Sequence, residues 1–224
     1  YHSDFVDFKW TLKEFKDFMI YQVGKRDIEV RLNTRANPGD IKKEKYDIVI
    51  SAIGAEPSKP PILGVDGDNV CFGADSMINP DKLGREVVVI GGGEVGVECG
   101  MNLAKKGHNV NVLEMRNSLA ADSTIMHFRS MFKEYWESIP NFKGICGVNV
   151  KEIKADGVKY TCADGKECFI KADSVVLSTG MRAKQTEALS FYGTAGRFYA
   201  IGDCTKPGTV QKAMRDAFAV ASQI

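Results

Sequence analysis

Arg85-Glu-Val-Val-Val-Ile-Gly-Gly-Gly-Glu-Val-Gly-Val-Glu-Cys-Gly-Met-Asn-Leu-Ala-Lys-Lys-Gly-His-Asn-Val-Asn-Val-Leu-Glu114 carries the densest pattern in the chain. Val87 to Ile90 is a wholly apolar, β-branched run, the pattern of a strand covered on both faces. Gly91, Gly93 and Gly96 follow at G-x-G-x-x-G spacing. The first allows a tight turn, the second lets the backbone approach a pyrophosphate, and the third lets helix and strand pack closely. Glu94 and Val95 stand with these glycines at the start of a helix predicted to run to about Lys106, its N–H groups and dipole toward the phosphates. Gly107 is a C-terminal stop, and Val110 to Leu113 reads as the second strand. Glu114 ends that strand, 18 positions after Gly96 (114 − 96), where a carboxylate can accept hydrogen bonds from adenosine ribose hydroxyls. A glycine turn alone often serves only packing. Strand, turn, helix, second strand and terminal acid together mark a dinucleotide site.

A chain of 224 residues can hold one large domain or two small ones. A net charge of +1 gives no basic footprint for nucleic acid. No apolar run approaches the roughly 20 residues of a membrane span, and the charged, aromatic N-terminus is unlike a signal peptide. The cysteines (Cys71, Cys99, Cys146, Cys162, Cys168 and Cys204) contain no C-x-x-C, which excludes a thioredoxin-type pair and any recognisable zinc or iron–sulfur ligand run. They read as free, small apolar residues in a reducing cytoplasm. No residue is singled out as catalytic or as a metal ligand; His2, His108, His127 and Trp136 read as packing or surface positions.

Before this stretch, the spacing predicts a helix from Trp10, with Thr11 and Glu14 as a capping box and Trp10 and Phe15 as a hydrophobic staple. Leu12, Phe15, Met19 and Val23 share one face, and Gly24 can end it. Ile28 to Leu32 alternates as a strand would. Tyr46 to Ile53 reads as a buried strand closing at Gly54, and Pro57, Pro60 and Pro61 stiffen the exit. Asp173 to Gly180 echoes Asp47 to Gly54: an acid opens a short apolar strand and a glycine closes it seven residues later. Between Glu114 and that echo, Asp122 or Ser123 can cap a helix carrying Ile125, Phe128, Phe132, Tyr135 and Ile139, stopped by Pro140. Val148 to Ile153, Val158 to Cys162 and Glu167 to Ile170 then read as a small antiparallel meander, with Asp164-Gly165 at one turn. Near the C-terminus, the strand Phe198 to Ile201 delivers Gly202-Asp203, and a helix starts near Thr209. An acid there can hold sugar hydroxyls while the helix amides meet polar or anionic ligand atoms, although Gly-Asp is also a common turn.

This order (closing strand to Gly54, nucleotide unit, second closing strand to Gly180, then Ala200-Ile-Gly-Asp203) resembles the two-dinucleotide-domain flavoprotein disulfide reductase superfamily. More closely, it resembles the C-terminal half of the 2,4-dienoyl-CoA reductase and 2-enoate reductase group, relatives of old yellow enzyme and trimethylamine dehydrogenase. The resemblance covers nearly the whole chain, including Gly54-Ala-Glu-Pro57. It implies hydride transfer from a nicotinamide to FAD, with electrons passing through an iron–sulfur cluster to FMN in a separate barrel where a carbon–carbon double bond is reduced. Gly91, Gly93, Gly96 and Glu114 would hold NAD, and Gly180 would let the chain pass close to the nicotinamide. Gly54, Gly202, Asp203 and the amides near Thr209 and Val210 would belong to the FAD half, Asp203 on the ribityl chain.

The sequence departs from that pattern in having one glycine-rich turn where such an enzyme has two. The expectation is therefore an excised piece, lacking the barrel, the FMN and cluster sites and the first half of the FAD domain. The expected fold is α/β: residues 61–190 form a Rossmann-like NAD(P)-binding domain with a parallel sheet and the meander. It is inserted into a partial FAD-type domain made of residues 1–60 and 191–224. The expected coenzyme is NADH rather than NADPH, because Glu114 would repel a 2′-phosphate, with Arg116 able to offset part of that repulsion. Two further readings stay open: a thioredoxin-reductase-like disulfide reductase fragment and a non-catalytic nucleotide-sensing module.

Overall fold

Unbroken runs of apolar, largely β-branched side chains make the central strands, and covering both faces makes them a core. The computed structural model describes residues 6–121, 123 and 128–224. In chain order the elements are α1 (Trp10–Gly24), α2 (Pro38–Glu44), β1 (Ile48–Ser51), β2 (Ala55–Pro57), β3 (Val70–Phe72), α3 (Gly73–Ile78), β4 (Glu86–Ile90) and α4 (Glu94–Lys105). There follow β5 (Asn109–Glu114), α5 (Phe128–Glu137), β6 (Phe142–Cys146), β7 (Asn149–Lys154), β8 (Gly157–Thr161), β9 (Glu167–Lys171) and β10 (Ser174–Leu177). The chain closes with β11 (Met181–Ala183), α6 (Gln185–Leu189), β12 (Arg197–Ala200) and α7 (Val210–Ala221).

Two compact units result. In the first, residues 6–26 and Lys59–Gly180 surround a five-stranded sheet of order β3-β10-β4-β5-β6, every pair parallel. Val87, Val89, Val110, Val112 and Val176 pack into one cluster with Val97, Met101 and Leu103 of α4 and Trp136 of α5. The intervening Val88, Ile90, Leu113, Val175 and Leu177 pack into a second cluster with Val148, just before β7, and with Ile153 and Val158 of the β7-β8-β9 meander. Successive side chains thus bury on opposite faces, which is why these strands read as unbroken apolar runs. Helix α4 ends at Gly107 (φ +96°), where the Gly107 N–H donates to Ala104 and the His108 N–H to Leu103, the paired bonds of a Schellman stop.

In the second unit, Asp27–Ser58 and Met181–Ile224, β1 pairs with β12 in parallel and β2 with β11 in antiparallel fashion. Helix α2 starts at Asn37, whose side chain accepts from the Asp40 N–H at 3.0 Å, with Pro38 at its first position. The sequence reading did not include it, although the cap is legible.

Several expectations need correction. Residues 6–26 group with the first unit, and 181–190 with the second, so the boundaries differ from 1–60, 61–190 and 191–224. Val6, 2% exposed, and Phe8 anchor the early segment in the cluster around α4 and α5. The Thr11 capping box does not form: a 3-10 turn at Asp7–Lys9 leads directly into α1, placing Thr11 inside the helix and Lys9 at its cap. The staple does not close either, Trp10 remaining 59% exposed. Ile28 to Leu32 is irregular and exposed, because alternation makes a strand only where a neighbour supplies ladder hydrogen bonds. The cap at Asp122, Ile125 and His127 lie outside the described residues. Cys162 and Cys168 are not free but joined in a disulfide, because the β8–β9 hairpin brings them together; Cys71, Cys99, Cys146 and Cys204 are free. No described helix is long and apolar enough to cross a membrane.

Candidate dinucleotide site

The candidate site lies at the carboxyl ends of β4 and β5, where the chain turns into α4. Gly91 has φ +101°, and a Cβ there would meet the Ser178 carbonyl oxygen at 2.4 Å. A Cβ on Gly96 would fall 1.9 Å from the Gly91 carbonyl oxygen, so helix and turn touch through backbone alone. Gly93 is different: a Cβ there would meet nothing within 4 Å. It caps α4 without a side-chain cap bond, and helix geometry leaves the first-turn N–H groups of Glu94, Val95 and Gly96 without intrahelical acceptors. Two glycines make the close approaches, and the third faces open space at a helix N-terminus. That is the cradle an anion requires.

Glu114 completes it. The residue is 8% exposed; Oε2 of its carboxylate accepts from the Gly92 N–H at 2.5 Å and Oε1 from the Arg116 N–H at 2.9 Å. Two backbone donors hold it in place, and each oxygen keeps acceptor capacity for a hydroxyl. Gly92 is itself boxed in by Leu119 and Glu114, and the Ala120 N–H donates to its carbonyl at 2.7 Å. Sequence reading passed over Gly92, Leu119 and Ala120, since nothing in the motif marks them. Arg116 is exposed, and its carbonyl accepts from the Gly147 N–H at 2.7 Å. Gly180, at φ +93°, has open space around it, beyond Ser178, whose N–H continues the β10 ladder onto Ile90.

Two acids on α4 also stand out. Glu94 is half-buried, and its Oε1 is enclosed with no hydrogen-bond partner among the described residues. Glu98, 5% exposed, pairs with Lys9 at 2.5 Å. Burial raises its pKa above the ordinary carboxylate value, while the Lys9 ammonium pulls it back down. The visible signal is an acid set between Val97 and Cys99 on the helix.

The remaining sequence-predicted site residues belong to the second unit. Gly54 (φ +75°) follows β1 and Gly202 (φ +66°) follows β12, so both lie at the carboxyl ends of that parallel pair. Asp203 Oδ1 accepts from the Gly208 N–H at 3.1 Å, and Thr209 caps α7 through the Lys212 N–H at 3.2 Å. Val210, the first residue of α7, is 50% exposed. Apart from these features, a cavity of about 300 Å³ in the first unit is lined by Lys59, Asp66, Cys71, Phe72, Asp75 and Leu177, none of them a sequence-predicted site residue. No group of three His, Cys, Asp or Glu among the described residues is placed to hold a metal ion.

A parallel α/β sheet with a glycine turn, an open helix N-terminus and a buried acid on the next strand defines a dinucleotide-binding domain. The chain belongs to the pyridine nucleotide-disulphide oxidoreductase family, whose sequence profile matches residues 20–217. It is 32% identical to an NADH oxidase of Thermoanaerobacter brockii, over 96% of this chain and 34% of that protein. It is 26% identical to a cinnamate reductase of Clostridium sporogenes, over 99% of this chain and 32% of that protein. Among solved structures it is similar to 2-naphthoyl-CoA reductase, with a TM-score of 0.89 and 30% identity over 100% of this chain and 34% of that one. The chain thus spans about a third of the length of these relatives. The family is one of NAD(P)H-dependent flavoprotein oxidoreductases.

Proposed function

We propose that this chain is the NADH-binding portion of a flavin-dependent reductase acting on a conjugated carbon–carbon double bond in an enone, enoate or enoyl-CoA. The observation that carries the reading is the pairing of an open Gly93 with a buried Glu114 carboxylate held by the Gly92 and Arg116 N–H groups. The names of the cinnamate and 2-naphthoyl-CoA reductases support the substrate class. The disulfide-reductase reading needs a cysteine pair at the flavin, whereas Cys162 and Cys168 belong to the meander of the first unit.

Bound NADH supplies the hydride. The protein's part is to hold and orient it. Gly93, Glu94, Val95 and Gly96 present backbone N–H groups to the pyrophosphate, Glu114 accepts from the adenosine ribose hydroxyls, and Gly180 leaves room for close approach of the nicotinamide. In the second unit, Gly54, Gly202, Asp203 and the N-terminus of α7 fit one side of an FAD site, with Asp203 toward sugar-like hydroxyls. No glycine-rich pyrophosphate turn accompanies them in that unit, so the fit to FAD is partial. FMN and an iron–sulfur cluster, in this reading, belong to a barrel outside these residues, and the parent enzyme would be cytoplasmic.

Glu114 favours NADH, because a 2′-phosphate would meet its carboxylate and lose the ribose hydrogen bonds, on the order of 1–3 kcal/mol. Titration of both coenzymes into the 224-residue chain tests this: NADH is expected to bind roughly ten- to a hundredfold more tightly. Tighter NADPH binding would give the decisive role to Arg116 instead. The same preparation is expected to be colourless and without turnover; stoichiometric bound flavin would overturn the partial-site reading.

A further inference from the structure

The helix that offers its N-terminus to an anion carries negative charge of its own. Glu94 is the first residue of α4 and Glu98 stands four positions on, so both acids lie on one face, about 6 Å apart along the axis. A dinucleotide would bring its two anionic phosphates to the same end. The helix dipole is equivalent to only about half a positive charge there, too little to offset two carboxylates.

Lys9 supplies the missing cation. Its ammonium lies 2.5 Å from Glu98 Oε2, with the lysine side chain 29% and the glutamate side chain 7% exposed. It does not belong to the glycine motif but to the 3-10 turn ahead of α1, and that turn is anchored on both sides of the contact. The Lys9 N–H donates to the Val6 carbonyl at 2.9 Å, and Val6 is buried in the cluster around α4. The Phe8 ring packs against Phe132 and Tyr135 of α5, at centroid distances of 5.6 and 6.5 Å. Lys9 is thus a fixed counter-charge, unlike a freely moving surface lysine.

We propose that Lys9 is a positioning residue for the dinucleotide: by neutralising Glu98 it keeps the N-terminus of α4 receptive to the pyrophosphate. The role rests on the dinucleotide reading of the glycine turn. The charged groups acting on Glu98 are Lys9 and Glu94. Burial raises the Glu98 pKa, Lys9 lowers it, and Glu94 raises it again; the adjacent Cys99 is a neutral thiol, pushed up to about 12 by burial. Without Lys9, therefore, Glu98 either takes up a proton and ceases to repel the phosphates, or stays ionised and repels them. Which of the two holds depends on pH, and that dependence is the signature of the role.

ADP-ribose, which carries the adenosine and the pyrophosphate without the nicotinamide, is the probe. It is titrated into the 224-residue chain at low ionic strength, from about pH 5 to about pH 9. Lys9→Met should weaken binding at least about fivefold at the alkaline end and progressively less toward the acid end, where Glu98 is protonated. Lys9→Arg should retain affinity, and Lys9→Met/Glu98→Gln should regain it across the whole range. Equal weakening of Lys9→Met at every pH, with no rescue by Glu98→Gln, would reduce Lys9 to a packing role and overturn this inference alone. Glu98→Gln by itself leaves Lys9 as an uncompensated cation and should tighten ADP-ribose at least about twofold. That variant decides the matter if Lys9→Met does not fold, and unchanged or weaker binding by it counts against the proposal. No binding of ADP-ribose by the unaltered chain would overturn the dinucleotide reading, and this role with it.

Discussion

Asp47 to Gly54 and Asp173 to Gly180 are near-copies in pattern, each an acid, a short apolar strand and a glycine at positive φ, yet the molecule treats them differently. β10 has β3 on one side and β4 on the other, with covered faces, and all four of its residues are buried. β1 has only β12, and Ile50 in its middle remains 42% exposed. The contrast extends to the units. Valines of β4 and β5 are at or near 0% exposure, whereas α7 buries no residue and its Phe218 is 74% exposed. A similar local sequence makes a strand in both places. The number of neighbours decides whether that strand becomes core.

The two units differ most at their glycines. Gly96→Ala would drive a Cβ into a backbone oxygen 1.9 Å away, and a loss of at least about 3 kcal/mol is expected in urea denaturation. Gly54→Ala meets open space and only a left-handed backbone, for an expected loss of about 1–2 kcal/mol. Equal losses at both sites would break the contrast. In the strands, Val176→Ala removes a side chain at 0% exposure and should cost about 2–3 kcal/mol. Ile50→Ala, at 42%, should cost less than about 1 kcal/mol. Amide exchange should show the same ranking, with β10 better protected than β1.

Glu114→Ala removes the acceptor of the Gly92 and Arg116 N–H groups and should shrink the preference for NADH by about 1–2 kcal/mol, read by paired coenzyme titrations. Arg116→Ala in that background should then weaken NADPH specifically. An unchanged preference would remove Glu114 from the coenzyme site.

The smallest effect is expected from Glu98. Its pKa is raised in the folded chain by burial, so the native state holds that proton more firmly than the unfolded state. Its contribution to stability is therefore greatest at low pH and declines as pH rises above the ordinary value of 4.5. Glu98→Gln should flatten that decline in urea midpoints measured across the range. A steeper decline in the variant would assign the titration to another group.

Features that depend on near neighbours are legible in the chain of residues alone. Val87 to Ile90, the glycine spacing, the Gly107 stop and the acid after Val110 to Leu113 are local chemistry, legible because each residue's role is set within a turn or a strand. The Asn37-Pro38 cap of α2 was legible on the same grounds and went unread. Packing settled what depends on distant partners. It set the strand order, with β10 inserted between β3 and β4, and it placed Val6 and Phe8 against α4 and α5. It also left Ile28 to Leu32 outside any ladder, joined Cys162 to Cys168, and fastened the Glu114 carboxylate to Gly92, 22 positions earlier. A period of two makes Ile28 to Leu32 strand-like, and C-x5-C leaves two cysteines unpaired on paper. A ladder partner and a hairpin register exist only once segments far apart in sequence have packed, and hydrogen bonds and disulfides form between whichever groups that packing brings within reach.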